Sequence, residues 1–137
     1  MATIPFETVM TTADAEFIWA QQKTAWQYDR TVRGNPTCDI IRPTWTGADE
    51  NTGVQGTRND VEVFSDHSCY HDLIPDEVIA GSGGIFQPGA IEVVLYDIGE
   101  LDLKDMIVLK DKQYYLAHQK YFSNSGRSEL QCNPYYA

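Results

Sequence analysis

The stretch that decides the fold is Ile91-Glu-Val-Val-Leu-Tyr-Asp-Ile98, followed by Leu101-Asp-Leu-Lys-Asp105 and then Met106-Ile-Val-Leu-Lys-Asp-Lys-Gln-Tyr-Tyr-Leu-Ala-His-Gln-Lys-Tyr-Phe122. Its first and last pieces are rich in β-branched and aromatic side chains, which suit a pleated, half-buried surface, and both read as strands. Between them the polar run Lys110-Asp-Lys-Gln113 supplies a tight reversal, with Asp111 suited to a left-handed backbone. The expectation is a hairpin, fed by residues 101–105 as a short connection from one strand of a small barrel to the next.

Working outward, the N-terminal half predicts one helix. Thr11 or Thr12 can cap it, Asp14 and Glu16 fall in its first turn, and Ala15, Ile18, Trp19, Gln22, Ala25 and Trp26 recur at helical spacing. The two tryptophans place this stripe against the barrel. Residues 2–9 before it are apolar but interrupted by Pro5, which predicts an extended arm. After the break at Gly34-Asn-Pro36 a strand is expected over residues 37–42, ended by Pro43, with residues 31–33 as a shorter strand. Residues 43–60, with three glycines and little to bury beyond Trp45 and Val54, read as a long loop or a β-hairpin excursion. A further strand starts at residues 61–64 and runs on through residue 71. Residues 75–80 fit a helical turn or a strand, residues 81–84 a glycine link, residues 123–126 a turn and residues 129–132 a last strand. The tail at residues 133–137 carries Tyr135 and Tyr136.

The expected fold is mainly β: a small β-barrel with one N-terminal α-helix, long inter-strand loops and extended termini. It forms one domain over residues 1–137, with the arm at 1–10, the helix at 11–28, the barrel at 29–132 and the tail at 133–137. A chain of 137 residues with 42% hydrophobic side chains can fill one modest core. No run is long and apolar enough to span a bilayer, and the first residues lack the basic and apolar regions of a secretory leader. Cys38, Cys69 and Cys132 are an odd number at unrelated spacings, which predicts buried free thiols rather than a disulfide framework. A net charge of −10 argues against gripping nucleic acid by its phosphates, although an acidic channel wall would let a duplex slide.

Chemistry-bearing motifs are sparse. His67, Cys69 and His71 project from one face if their strand is extended, and they offer two imidazoles and a thiolate of the kind zinc prefers. Such positions lie about 7 Å apart along a strand, too far to converge on one ion without a kink, so no metal and no cofactor is expected. No nucleophile elbow, His-Glu-x-x-His or Cys-x-x-Cys occurs, and Gly81-Ser-Gly-Gly84 lacks the Lys-Ser or Lys-Thr of a phosphate loop. His118, among the aromatic residues of the hairpin, reads as a barrel residue rather than a general base. No catalytic residue is expected.

The segments at residues 103–109 and 111–115, with the short helix upstream, resemble the head-completion proteins of tailed bacteriophages, also called head-closure, stopper or head-tail connector proteins. The agreements cover about two thirds of the chain. The resemblance implies a structural virion protein of the phage neck, assembled in the host cytoplasm, which closes the head, retains packaged DNA and offers a tail-docking surface. It implies a homo-oligomeric ring, dodecameric in the family, with portal or adaptor, tail terminator or tail tube, and passing double-stranded DNA as partners, and no membrane. Under it Ile4, Phe6, Trp45, Asp49, Glu50, Tyr135 and Tyr136 are the interaction candidates, with Asp49 and Glu50 facing the channel. The alternatives are a tail terminator or other ring-forming tail component, and a small β-barrel enzyme or ligand-binding module.

Overall fold

In the computed structural model, which describes residues 12–47, 51–54 and 56–136, six antiparallel strands close into a barrel in the order β1-β2-β3-β6-β5-β4. In chain order the elements are α1 Thr12–Val32, β1 Thr37–Thr46, β2 Thr57–Leu73, α2 Asp76–Ala80, β3 Ile91–Tyr96, β4 Met106–Leu109, β5 Lys112–Phe122 and β6 Arg127–Pro134. The mainly β barrel with a helix at its start is the architecture expected from the sequence. None of the described helices is long and apolar enough to cross a membrane.

The deciding hairpin forms, with a tighter turn than the expected reversal over residues 110–113. β4 and β5 are paired from Met106↔Tyr115 to Leu109↔Lys112, leaving Lys110 and Asp111 as the turn. Both have positive φ, 51° and 65°, the signature of the type I′ turn whose twist matches that of the flanking strands. At the other end of β5, Gly126 closes the turn into β6 with φ of 74° and accepts the Asp97 amide at 3.0 Å. A Cβ at Gly126 would stand 3.1 Å from Asp97 Oδ1, so this corner excludes a side chain on both counts.

The barrel interior is filled by alternate residues of its strands, among them Ile40, Cys69, Val93, Leu95, Ile107, Leu130 and Cys132. β3 is buried on both faces. Val93 and Leu95 point inward, while Val94 and Tyr96 form a second cluster with Trp26 of α1 and with Tyr70 packed against it. This explains why residues 91–96 read as a nearly continuous apolar run rather than a strict alternation. Trp26 donates its indole N–H to Val94 O at 2.8 Å and meets the Tyr96 ring edge-on, with centroids 4.8 Å apart. Arg30 ties the next turn down by donating to Cys69 O and Pro36 O, both at 2.9 Å.

Three expectations need correction. Residues 31 and 32 do not begin a strand: they continue α1, which stops at Gly34 and Asn35, both with positive φ, where Asn35 N–H donates to Arg30 O at 2.8 Å. Pro43 does not end β1, since the strand runs through it to Thr46 as part of a two-stranded ribbon. Of the two readings of residues 43–60, the β-hairpin excursion is the one that forms, with residues 43–46 and 57–60 paired as sheet. The tail begins later than expected, because Asn133 and Pro134 belong to β6, and buried Asn133 accepts from Gln87 N and donates to Ile85 O, each at 2.8 Å. That amide pins residues 85–87 against the barrel.

Candidate interaction surface

β1 is flanked by β4 only from Asp39 to Ile41, and beyond that point it pairs with β2 alone, from Arg42↔Val61 to Thr46↔Thr57. A two-stranded ribbon thus projects past the barrel wall. Its rungs are fastened by side chains: Thr44 Oγ1 donates to Asn59 O at 2.8 Å, and Asn59 Nδ2 donates to Thr46 Oγ1 at 2.9 Å. Proline is tolerated here because an edge strand has no further neighbour to receive its missing N–H.

The ribbon is held at its base by an ion pair whose carboxylate is buried and whose guanidinium is half-exposed. Asp105 is wholly inaccessible and accepts from Arg42 Nε at 2.7 Å and Arg42 Nη2 at 3.0 Å, with a third bond from the Asp102 amide at 3.1 Å. The carboxylate raises the Arg42 pKa above its ordinary value, first through these hydrogen bonds and then by charge. The same contacts fix the link between β3 and β4, so ribbon and link are positioned together.

Arg58, opposite Trp45 in the register, connects the ribbon to the C-terminal residues. It donates to Asp60 Oδ1 at 2.7 Å and to Gln113 Oε1 at 3.1 Å, and its guanidinium lies 5.4 Å from the centroid of the Tyr135 ring. Tyr135 is set in place by its backbone N–H, which donates to Gln113 O at 2.9 Å. Between them opens a groove of about 650 Å³ with Trp45, Pro43, Met106 and Tyr135 as its apolar walls and Arg42, Arg58 and Lys104 among its charged ones. A second hollow of about 500 Å³ shares Arg58 and Tyr135 with the first and continues it past Tyr136 and Lys112. Cation–aromatic contacts of this kind preorganise a surface without closing it.

Two interaction candidates, Trp45 and Tyr135, are therefore brought to one groove, and Tyr136, 83% exposed, borders its continuation. Ile4, Phe6, Asp49 and Glu50 lie outside the described residues. Sequence reasoning missed Arg58 and Met106, whose roles come from side-chain contacts of Arg58 with Met106 and Gln113, 48 and 55 residues away in the sequence. It also missed the outward face of α1, where Phe17 and Tyr28 are exposed on either side of Ala20 and Thr24.

His67, Cys69 and His71 do not converge. His67 Nε2 donates to Tyr96 O at 2.7 Å, Cys69 is buried in the barrel core, and among the described residues no group of three or more His, Cys, Asp or Glu side chains is placed to hold an ion. His71 has its pKa lowered, by burial first and then by the charges of Lys110 and Arg33. All three cysteines are free and buried, as the sequence predicts. Burial pushes the Cys132 thiol well above its ordinary range, and Cys38 is raised by its hydrogen bond with Cys69 and by burial.

A scan of protein-family models and a search of curated proteins find no match to this chain. Among solved structures, the chain is similar to protein SF1141 from Shigella flexneri 2a, with 11% identity and a TM-score of 0.49, covering 74% of this chain and 94% of that one. It is also similar to protein xkdH of the phage-like element PBSX from Bacillus subtilis, with 16% identity and a TM-score of 0.43, covering 71% of this chain and 90% of that one.

Proposed function

We propose that this chain is a structural component of a tailed-phage neck, a subunit of a ring between portal and tail that closes the head, retains packaged DNA and receives the tail. The reading starts from the resemblance carried by residues 103–109 and 111–115, which fold as the β4–β5 hairpin of a closed barrel. The observation that carries it further is the projecting ribbon with its Trp45, Arg58 and Tyr135 groove. An aromatic and guanidinium surface on a stiff arm is the composition that protein–protein contacts favour. The described grooves are broad rather than enclosed, and the reading includes no catalytic step.

The acidic balance fits the same role. A wall of like charge lets a DNA duplex pass because phosphates are repelled rather than paired, and the effect is screened over about 8 Å at physiological salt. The experiment is native mass spectrometry of the purified chain mixed with portal complexes. The reading expects a single assembly of defined stoichiometry with several copies of this chain per portal. A chain that stays monomeric and leaves the portal unloaded overturns it.

A further inference from the structure

We infer that the groove walled by Trp45, Met106 and Tyr135 receives the arm at residues 2–7 of a second copy of this chain. The inference rests on the ring reading only in requiring a neighbouring copy.

Consider first what the groove can hold. Its walls are mostly apolar, and its charges are largely balanced: Arg42 is paired with Asp105 and Arg58 with Asp60, while Lys104 and Asp102 stand on opposite signs. In a chain of net charge −10 this is a near-neutral strip, the part of the surface that another acidic copy can approach with least repulsion. A matching segment must be extended, apolar and nearly uncharged. Residues 1–11 fit, since they carry Ile4, Pro5 and Phe6 and only one ionisable side chain, Glu7. Pro5 favours an extended backbone and lowers the entropy lost on docking. Phe6 supplies a ring for the space between Trp45 and Tyr135, and Glu7 a partner for Lys104 at the rim.

Geometry then decides whose arm it is. α1 lies antiparallel to β3: Arg33 meets Asp72, which pairs with Glu92, whereas Lys23 meets Asp97 beyond the other end of β3. The helix start at Thr12 therefore projects past Asp97 by roughly 16 Å at the α-helical rise. Tyr135 lies at the opposite end, because β6 runs from Arg127 beside Tyr96 to Cys132 beside Ile91 and onward. That adds roughly 25 Å at the rise of a strand, so Thr12 and the groove stand about 40 Å apart. Phe6 is six residues from Thr12, and a fully extended chain of that length spans only about 20 Å. A subunit's own arm falls short of its own groove, while that of a neighbour set beside the ribbon does not.

The test uses the full chain. Trp45 is replaced by the photo-crosslinker p-benzoylphenylalanine in isotopically light protein, which is mixed with heavy-labelled chain, irradiated, digested and mapped by mass spectrometry. The expected product joins light position 45 to heavy residues 1–11, and Phe6→Asp in the heavy chain reduces its yield at least tenfold. Since position 6 precedes every described helix and strand in the sequence, circular dichroism of that variant should match the parent. A link only within one light chain assigns the groove to its own arm and overturns the inference. Inter-copy links that avoid residues 1–11 also overturn it while leaving the ring reading intact. A chain without any inter-copy link at its highest soluble concentration, and monomeric by sedimentation, removes both.

Discussion

Replacing Trp26 with alanine should detach α1 while leaving the barrel closed. α1 touches the barrel mainly through the Trp26 indole over Val94 and Tyr96, the two Arg30 hydrogen bonds, and Lys23, which lies 5.1 Å from the Tyr96 ring centroid and 3.8 Å from Asp97 Oδ2. Its outward residues Phe17, Tyr28 and Val32 are all exposed by more than 60% and contribute nothing to docking. Truncating a buried tryptophan costs about 3 to 5 kcal/mol, within which the indole hydrogen bond to Val94 O accounts for about 1 and the edge-to-face contact with Tyr96 for about 1 more. Most helical stability in proteins comes from tertiary packing rather than propensity, so α1 persists only while it is docked. A loss of about 3 kcal/mol corresponds to roughly two decades in an equilibrium constant, hence to a roughly hundredfold loss of amide protection in α1. The assay is hydrogen exchange read by mass spectrometry, with circular dichroism at 222 nm beside it. Amides of β4, β5 and β6 should keep most of their protection. Trp26→Phe, which retains a ring and loses the N–H donor, should cost about 1 to 2 kcal/mol. Unchanged exchange in α1 would refute the assignment of Trp26 as the anchor, and equal loss across the barrel would refute the separability of helix and barrel.

Three further outcomes are expected. Arg42→Ala should lower the melting temperature more than Asp105→Ala, because the first strands a wholly buried carboxylate and the second leaves a cation that water can reach; the reverse order would contradict the geometry of the pair. His71 has a folded-state pKa below its ordinary 6.5, so the unfolded chain takes up the proton first. Its contribution is present above about pH 6.5 and is lost as pH falls through the lowered value. Chemical denaturation from pH 7.5 to 5 should show that loss, and His71→Gln should flatten it. Cys38, Cys69 and Cys132 should resist thiol reagents in the native protein and react together, all three, only on unfolding; rapid native labelling of Cys69 would contradict its place in the core.

The sequence was most legible where local chemistry and tertiary structure agree. The β4–β5 hairpin could be read from Lys110 and Asp111 because a two-residue turn with both φ angles positive is a local demand. The apolar run at residues 91–96 was legible as a strand, though its second covered face becomes apparent only once Trp26 is seen on Val94. Errors arose where one residue's preference was taken as decisive. Thr31 and Val32 are β-branched, yet the helix ends at Gly34, whose positive φ is the stronger stop signal. Pro43 breaks a central strand but sits comfortably on the edge of a ribbon, and periodicity does not distinguish the two.

The candidate surface was legible in part. Trp45 and Tyr135 stand out as aromatic residues in segments with little else to bury, and that signal is local. What unites them is Arg58, whose contacts with Gln113 and Tyr135 depend on how far the barrel curls before it closes. The same holds for Arg42 and Asp105, 63 residues apart and joined by the pairing of β1 with β4. Long-range pairings of single charges leave no trace in spacing or composition.

A side-chain-resolution cryo-electron microscopy map of the neck of particles that carry this chain tests the central claim most directly. The account predicts a ring of six-stranded barrels between portal and tail, each with its 42–46 and 57–61 ribbon directed toward a neighbouring subunit. A neck whose density at that level is filled by another fold, with this chain found elsewhere or as an isolated monomer, would contradict it.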